Sequence, residues 1–267
     1  MNGGLTLGAV YERTVAASLE RVWENVHDWE HLPFLHASSF CDLVLETAEP
    51  WGWRARVQVP PRENPRELLI ELRREEGAER YHTRTLAGFG AGGDIATTLE
   101  PRGDRETGVH VEFWLSEQDP SQAKAIGQAM VGLYTRLWDE DEEMMIQRQA
   151  FLDVRRAAEP APECPKAIAL GSPESVRARA PFFAEVGGQR VRVLEHQGQL
   201  AAHSLVCPHL GAPLDGAELR EGHVVCPWHG YRFSLSTGLN PDGRRCRLAH
   251  PAQIVADAAG ELQLSLA

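Results

Sequence analysis

Apolar and polar residues near the start of the chain alternate first with the period of a strand and then with that of a helix. Tyr11 to Ala17 predicts a strand. Ser18 is suited to cap a helix that begins at Leu19. That helix is expected to stop near Pro33, because proline cannot donate the backbone hydrogen bond that a helix interior requires.

A series of strands is predicted next, between about Phe40 and Leu115. The clearest of them spans residues 109–116, where large apolar residues alternate with His, Glu, Trp and Ser. Turns rich in proline or glycine separate the strands, notably at Pro60-Pro61 and at residues 90–93.

A long helix is predicted from about Ser121 to Arg155. Apolar residues recur along it at helical spacing and form one stripe: Ile126, Met130, Leu133, Leu137, Met144 and Phe151. Asp141 falls within this stripe, since it follows Leu137 by four residues. Because an acid that faces a core is costly unless it is paired or bound to metal, Asp141 is a candidate ligand.

The rest of the chain has a different character. Residues 157–180 are rich in Ala, Pro, Glu and Ser and show no periodicity, which predicts a linker. From Pro181 onward, short alternating segments such as 190–194 predict a small all-β domain. We therefore expect an α+β protein with a first domain over 1–156, a linker over 157–180 and a second domain over 181–267.

Composition narrows the classes of function. The formal charge is −11, which argues against nucleic acid and anionic membrane surfaces as partners. No apolar run has the length of a membrane helix, and the first residues lack the pattern of a secretory signal. Five scattered cysteines do not form a disulfide framework, so a reducing cytoplasm is the expected compartment.

Two short loops in the second domain carry the strongest chemical signal. Their sequences are Cys207-Pro208-His209-Leu210-Gly211 and Cys226-Pro227-Trp228-His229-Gly230. Each loop supplies one thiolate and one imidazole. Two thiolates suit one iron of a [2Fe–2S] cluster, and two neutral imidazoles suit the other and raise its potential. A Cys₂His₂ zinc site uses the same ligands and is the alternative.

The two loops resemble those of the Rieske family, and the resemblance extends over roughly residues 180–267. The flanking Ala212-Pro213-Leu214 and Thr237-Gly238 are similar as well. By this resemblance, Cys207, His209, Cys226 and His229 bind a [2Fe–2S] cluster. The remaining cysteines, Cys41, Cys164 and Cys246, have no ligand spacing and are expected to be packing residues or free thiols.

The subtype of Rieske domain is also indicated. High-potential members carry an extra disulfide between the loops, where this chain has Ala212 and Trp228. They also carry a serine and a tyrosine that hydrogen-bond the cluster, where this chain has Tyr231 and Phe233. Fewer hydrogen bonds to the sulfurs lower the potential, so the domain resembles the oxygenase or ferredoxin type.

The first domain resembles the helix-grip fold of the START and Bet v 1-like superfamily. In that fold a sheet wraps the last helix and leaves an apolar cavity. The catalytic domains of Rieske ring-hydroxylating oxygenases belong to this superfamily, although in familiar members the Rieske domain comes first. The segment that carries a closer resemblance to these oxygenases runs from Glu24 to His36 and reads ENVHDWEHLPFLH.

By that closer resemblance, His31 and His36 bind a mononuclear Fe(II), and Asp28 passes electrons to it from a Rieske histidine of a neighbouring subunit, usually in a trimer. Two histidines and one carboxylate on one face of a metal leave positions open for O₂. The family often places the carboxylate on the last helix with Gln eight residues later, which favours Asp141 with Gln149. Pro33 is expected to break the helix so that His36 folds back toward His31.

A plainer interpretation of these residues stays open. Glu24, Asp28 and His31 lie opposite the apolar face of the first helix, so they could form its solvated side. Residues 139–143 could likewise be an acidic surface run. START-like domains without iron also often carry an aspartate, a proline and aromatic residues near this place.

The sequence thus favours a Rieske-type oxygenase with permuted domain order. It is expected to take electrons from a reductase or ferredoxin and to hydroxylate an apolar, cyclic or lipid-like substrate with O₂. The alternatives are an electron-transfer or sensing protein fused to an iron-free lipid-binding domain, and a first domain that serves for dimerisation or docking.

Overall fold

The structure is a computed structural model and describes residues 4–157, 164–248 and 252–266. It divides into two compact units, residues 1–149 and 150–267. Each unit is described by itself below. None of the helices within these described ranges combines the length and the apolarity that crossing a bilayer requires.

The first unit is built on a seven-stranded antiparallel sheet. Its strands are β1 (Thr6–Val15), β2 (Asp42–Glu49), β3 (Gly52–Val59), β4 (Arg66–Arg74), β5 (Arg80–Gly88), β6 (Asp94–Gly103) and β7 (Glu106–Leu115). Their order in the sheet is β1-β7-β6-β5-β4-β3-β2, so only β1 leaves the sequential hairpin order. The predicted turns fall between β3 and β4 and between β5 and β6. On β7, Val109, Val111 and Phe113 are buried in alternation, as the sequence predicted.

Helical segments connect β1 to β2. Helix α1 (Leu19–His27) begins as predicted, because the Ser18 hydroxyl accepts a hydrogen bond from the backbone N–H of Arg21 at 3.3 Å. It ends earlier than predicted, at His27, because Asp28 leaves the helical conformation. A 3₁₀ turn (Trp29–His31) and the short helix α2 (Leu32–Leu35) follow.

The predicted role of Pro33 is therefore wrong. Pro33 stands in the first turn of α2, where its missing N–H has no intrahelical partner to lose. It helps to start a helix and does not break one. The break that separates His31 from α1 is at Asp28 (φ −85°, ψ 85°).

The long helix α3 (Pro120–Ala157) packs on the sheet, and the two share one apolar core. The predicted stripe is only partly right, since Ile126 is exposed. The neighbouring Gly127 faces β1 instead, where a Cβ atom would lie 2.4 Å from the carbonyl carbon of Gly8. Further along, Trp138, Asp141 and Met145 are buried. A sheet packed on a long last helix is the helix-grip arrangement expected for this domain.

The second unit contains three small antiparallel sheets. Their strands are β8 (Ala167–Gly171), β9 (Phe182–Val186), β10 (Gln189–His196), β11 (Gln199–Ser204), β12 (Glu218–Arg220), β13 (His223–Val225), β14 (Arg232–Ser234), β15 (Ala252–Ala256) and β16 (Leu262–Leu266). The sheet orders are β11-β10-β9, β12-β13-β14 and β15-β16-β8.

The interpretation of residues 157–180 as a linker is wrong over most of its length. Strand β8 pairs with β16 near the end of the chain, and helix α4 (Pro173–Arg179) follows, capped by the hydroxyl of Ser172. Leu170 and Val176 are buried in the core of the second unit. Residues 158–163 lie outside the described residues.

Candidate metal centres

The two cysteine–histidine loops of the second unit have the same backbone hydrogen bonds. The first loop follows β11, and the second connects β13 to β14. In each, the cysteine carbonyl accepts from the glycine N–H four residues on, at 3.0 Å from Gly211 and 2.9 Å from Gly230. In each, the cysteine N–H donates at 2.8 Å to the carbonyl five residues on. The loops are therefore two copies of one turn.

The glycine at the end of each turn is required by the backbone. Gly211 has φ +88° and Gly230 has φ +64°, a left-handed conformation that L side chains rarely adopt. These conformations let the chain reverse direction at the end of each loop.

The cysteine thiols of the two loops face each other. Cys207 and Cys226 are both buried and are not joined in a disulfide. The hydrogen bond from the Cys207 thiol, together with the backbone N–H groups of Trp228 and His229, lowers the pKa of the Cys226 thiol to about 5. The same thiol pair raises the pKa of Cys207, so one proton is held between the two sulfurs. Paired sulfurs with one readily lost proton suit a metal that takes two thiolates.

The two imidazoles lie beside one another as well. The ring centroids of His209 and His229 are 4.6 Å apart, with the rings at 76° to each other. Two sulfurs and two nitrogens from a pair of matching turns therefore converge on one place. A separate thiolate pair and imidazole pair is the donor set that a Rieske [2Fe–2S] cluster needs.

The residues that flank the two loops are buried. Ala212 and Trp228 are both in the interior. Phe233 is fully buried. Tyr231 stacks on His209, with ring centroids 4.6 Å apart and an interplanar angle of 19°. The remaining cysteines, Cys41, Cys164 and Cys246, are free and partly buried. Burial raises the pKa of the Cys246 thiol, and Cys226 adds a smaller contribution in the same direction.

The candidate mononuclear site of the first unit is assembled from two segments far apart in sequence. Because the chain leaves the helical conformation at Asp28, the 3₁₀ turn redirects His31 away from the axis of α1. His36 ends α2 with φ −96° and ψ 38°. Their ring centroids consequently lie 5.0 Å apart at 74°. The third residue, Asp141, comes from the buried face of α3.

The structure brings His31, His36 and Asp141 together. Their ligand atoms all lie within 4.8 Å of one another. Asp141 Oδ1 is 3.4 Å from His31 Nε2 and 3.1 Å from His36 Nε2. Two atoms bound to one divalent ion at about 2.1 Å, with angles near 90–110°, lie roughly 3.0–3.4 Å apart. The donor set and its spacing therefore fit a metal.

Asp141 and His36 are also held by hydrogen bonds from surrounding residues. Asn25 Nδ2 donates to Asp141 Oδ1 at 2.9 Å. The outer nitrogen of His31, Nδ1, lies 3.7 Å from Asp28 Oδ2, which is beyond hydrogen-bond distance. The outer nitrogen of His36, Nδ1, lies 2.6 Å from Glu140 Oε2. A histidine that binds metal usually bonds a carboxylate through its other nitrogen, which orients the ring.

Glu140 is the residue next to this site that the sequence did not indicate. It is the residue directly before Asp141, within an acidic run that gave no reason to distinguish it. The sequence indicates only that Glu140 lies at the edge of the buried face of the helix, because it is next to the core-facing Asp141. Helical position does not show that His36 is the partner of Glu140.

Charge interactions within the site are strong because it is buried. Burial disfavours the charged form of His31, but Asp141 and Asp28 outweigh this and raise the pKa of His31 to about 9. Burial likewise disfavours the Asp141 carboxylate, but His31 and His36 hold its pKa well below its usual range. Without a metal, the site is therefore a buried ion pair. A metal that binds it must displace the His31 proton.

A cavity of about 120 Å³ adjoins the three residues. Its wall is mainly apolar and aromatic and consists of Asn25, Val26, Asp28, His31, Leu32, His36, Phe40, Trp53, Ile70, Leu72, Tyr81, Thr83, Tyr134, Leu137, Trp138 and Asp141. Burial raises the pKa of Tyr81 and of Tyr134, so both phenols keep their protons. The site thus combines a hydrophilic end with an apolar chamber.

Comparisons with known proteins support the assignment of the second unit. The family model of the Rieske [2Fe-2S] domain matches residues 166–247. Apoptosis-inducing factor 3 of Mus musculus is 44% identical over 54 residues, which is 20% of this chain and 9% of that protein. The Rieske domain-containing protein of Homo sapiens is 28% identical over 75 residues, which is 27% of this chain and 48% of that protein. The chain thus spans less than half the length of either relative.

Among solved structures, a START superfamily protein from Mycobacterium smegmatis has a TM-score of 0.43 and 17% identity, and the match covers 51% of this chain and 97% of that one. The helix-grip assignment of the first unit depends on its own topology, described above. In the second unit, the family match and the matching turns agree. The C-terminal region of this chain is a Rieske [2Fe–2S] domain.

Proposed function

We propose that the chain is a Rieske-type oxygenase with a second, mononuclear iron. The observation that carries the proposal is the convergence of His31, His36 and Asp141 beside an apolar cavity. These three residues would hold Fe(II) as two histidines and one carboxylate. Iron held in this way supplies O₂ activation for attack on a neighbouring substrate.

In the second unit, Cys207 and Cys226 would hold one iron of the cluster, and His209 and His229 the other. This cluster supplies one-electron transfer, with electrons from a reductase or ferredoxin. The matched turns fix both cysteines through their own backbone, so the loops need little rearrangement to take the cluster.

The residues around the mononuclear site have separate roles in this proposal. Asn25 and Glu140 orient Asp141 and His36 through hydrogen bonds. Asp28 lies beside the outer nitrogen of His31 and would be the entry for electrons from a Rieske histidine of a second copy in a homo-oligomer, which we propose to be a trimer.

The cavity wall favours an apolar, cyclic substrate. Aromatic side chains such as Phe40, Trp53 and Trp138 exclude water and hold an apolar ring by contact. A volume of about 120 Å³ is close to that of an engineered cavity, about 150 Å³, that binds benzene. A lipid chain would need a larger space, which argues against the alternative of an iron-free lipid carrier.

Iron content tests the proposal directly. The anaerobically purified protein is expected to hold three irons per chain, two in the cluster and one in the mononuclear site. His31→Ala and Asp141→Ala should each lose one iron and keep the electron paramagnetic resonance signal of the reduced cluster. Glu143→Gln, an exposed acid on the same helix, is the matched control and should keep all three.

Two outcomes would overturn the oxygenase. One is a protein that holds two irons per chain, as an electron-transfer or docking protein would. The other is a full complement in both alanine variants. An O₂-consumption assay then distinguishes an iron that is only bound from one that is catalytic. The cluster is first reduced with an artificial reductant, and O₂ uptake is measured after a small aromatic compound is added.

A further inference from the structure

Three side chains form a continuous stack at the edge of the Rieske loops. The Tyr231 ring lies parallel to the His209 imidazole, with centroids 4.6 Å apart. The guanidinium group of Arg244 also lies on the Tyr231 ring, with its central carbon 4.6 Å from the ring centre. Tyr231 is buried, whereas Arg244 is exposed.

From this geometry we infer that Arg244 and Tyr231 tune the reduction potential of the cluster through His209. The inference concerns the cluster alone and does not depend on the mononuclear iron. Tyr231 stands where high-potential Rieske domains have a serine, whose hydroxyl donates a hydrogen bond to the cluster and raises its potential. The stack gives this residue a positive role in place of the missing hydrogen bond.

The sign follows from charge. Reduction adds one negative charge to the cluster, and a nearby positive charge stabilises the reduced form and raises the potential. The effect can pass by way of the buried Tyr231 ring, because the guanidinium and the imidazole both contact that ring. The flat guanidinium also suits an aromatic face better than a lysine ammonium does.

Other charges surround Arg244 and must be separated from it. Arg232 forms an ion pair with Asp242, and Asp242 also senses the charge of Arg244. Arg245 is the next residue, equally exposed and of the same charge, but the stack involves Arg244. Arg245 therefore provides a matched control for a general electrostatic effect.

The test is a redox titration of the full-length protein with bound cluster, followed by the electron paramagnetic resonance of the reduced form. Arg244→Gln should lower the equilibrium constant for reduction about tenfold, which is about 59 mV for a one-electron couple. Arg245→Gln should change it less than about twofold. Arg244→Lys should fall between Arg244→Gln and the unchanged protein, and Tyr231→Phe should match the unchanged protein.

Salt and a double substitution sharpen the result. The shift in Arg244→Gln should shrink at about 0.5 M salt, because Arg244 is exposed and salt screens its charge there. In a Tyr231→Leu background, Arg244→Gln should have little further effect. Equal shifts in Arg244→Gln and Arg245→Gln, or no shift in the former, would overturn the inference. Both outcomes can be read even if Tyr231→Leu loses the cluster.

Discussion

The two candidate metal centres differ in how far apart in the sequence their ligands lie. The donors of the Rieske centre lie in two turns with the same hydrogen bonds, so each turn positions its own cysteine. The mononuclear centre has no such local frame. Its aspartate comes from α3, and Glu140, which is hydrogen-bonded to His36, lies 104 positions further along the chain.

This difference teaches where each centre is vulnerable. A centre made by local turns depends on its donors and glycines. A centre assembled between distant segments depends on the packing that brings α3 to the sheet. Variants that remove donors should therefore act on one centre at a time, and variants that disturb packing should affect the mononuclear centre first.

The largest expected effect is the loss of the cluster in Cys226→Ser. A serine hydroxyl is a poor replacement for the thiolate that the iron requires, so the visible spectrum and two irons per chain should be lost. The mononuclear iron should stay, because its ligands lie in the first unit. Cys41→Ser, a partly buried cysteine of that unit, should keep the full spectrum. Retention of cluster absorbance in Cys226→Ser would show that the thiol pair is not the ligand set.

A second large effect concerns pH and the mononuclear centre. Because the pKa of His31 is about 9, metal must displace its proton at lower pH. The apparent affinity for Fe(II) should rise about a hundredfold from pH 6 to pH 8. It is measured by calorimetry without oxygen, after a chelator has removed the mononuclear iron. Asp28→Asn removes one of the groups that raise this pKa and should weaken the dependence. An affinity that is flat over this range would contradict the prediction.

The same groups predict how the stability of the first unit varies with pH when the metal is absent. The raised pKa of His31 stabilises the folded state below its ordinary value of 6.5, and this contribution is lost as pH rises through about 9. The lowered pKa of Asp141 stabilises the folded state above its ordinary value of 3.8, and this contribution is lost as pH falls below it. Thermal unfolding should therefore show greatest stability between those two ordinary values, and bound metal should flatten the profile.

A smaller effect is expected from the carboxylate that orients His36. Glu140→Gln keeps the size of the side chain but weakens its hydrogen bond to His36 Nδ1, and should lower the affinity for Fe(II) about 10–100-fold. Glu143→Gln on the exposed side of α3 should change the affinity less than about twofold. The cluster spectrum serves as an internal reference, since neither substitution lies in the second unit. Equal affinities in the two variants would show that Glu140 is only a surface acid.

The Rieske site could be predicted from the sequence more fully than the mononuclear site, because its ligands are close together along the chain. The Rieske loops were readable because all their donors fall in two short motifs. His31, His36 and Asp141 were predicted by a resemblance and by the helical position of Asp141. The sequence pattern predicts the helix break at Pro33, because it does not show that Asp28 leaves the helix first.

Other features depended on partners that no local pattern reveals. The sequence pattern predicts a linker where strand β8 lies, because the partner of that strand, β16, is about 95 residues further along the chain. The apolar stripe of α3 included Ile126, because a hydrophobic pattern favours large residues. The close contact with the sheet is made by Gly127, whose value lies in having no side chain. Glu140 was missed for a related reason, since its partner His36 comes from α2.

Gly127 provides the last test, because it acts on packing and not on a ligand. In Gly127→Ala, the new methyl group would meet the backbone of Gly8, and should lower the free energy of unfolding of the first unit by about 1–3 kcal/mol. Gly132→Ala is the matched control on the same helix. Nothing lies within 4 Å of a Cβ atom there, and Ala should raise that free energy by about 0.5–1 kcal/mol.

The metal centre that is lost first in Gly127→Ala decides whether the two centres differ in their dependence on packing. Urea titrations should be followed by fluorescence, by Fe(II) content and by cluster absorbance separately, because a protein of two compact units need not unfold in one step. If α3 packing positions Asp141, Gly127→Ala loses the mononuclear iron at urea concentrations where the cluster absorbance is unchanged. If both signals fall together, the two centres share one cooperative unit, and the contrast between locally and remotely assembled sites does not hold.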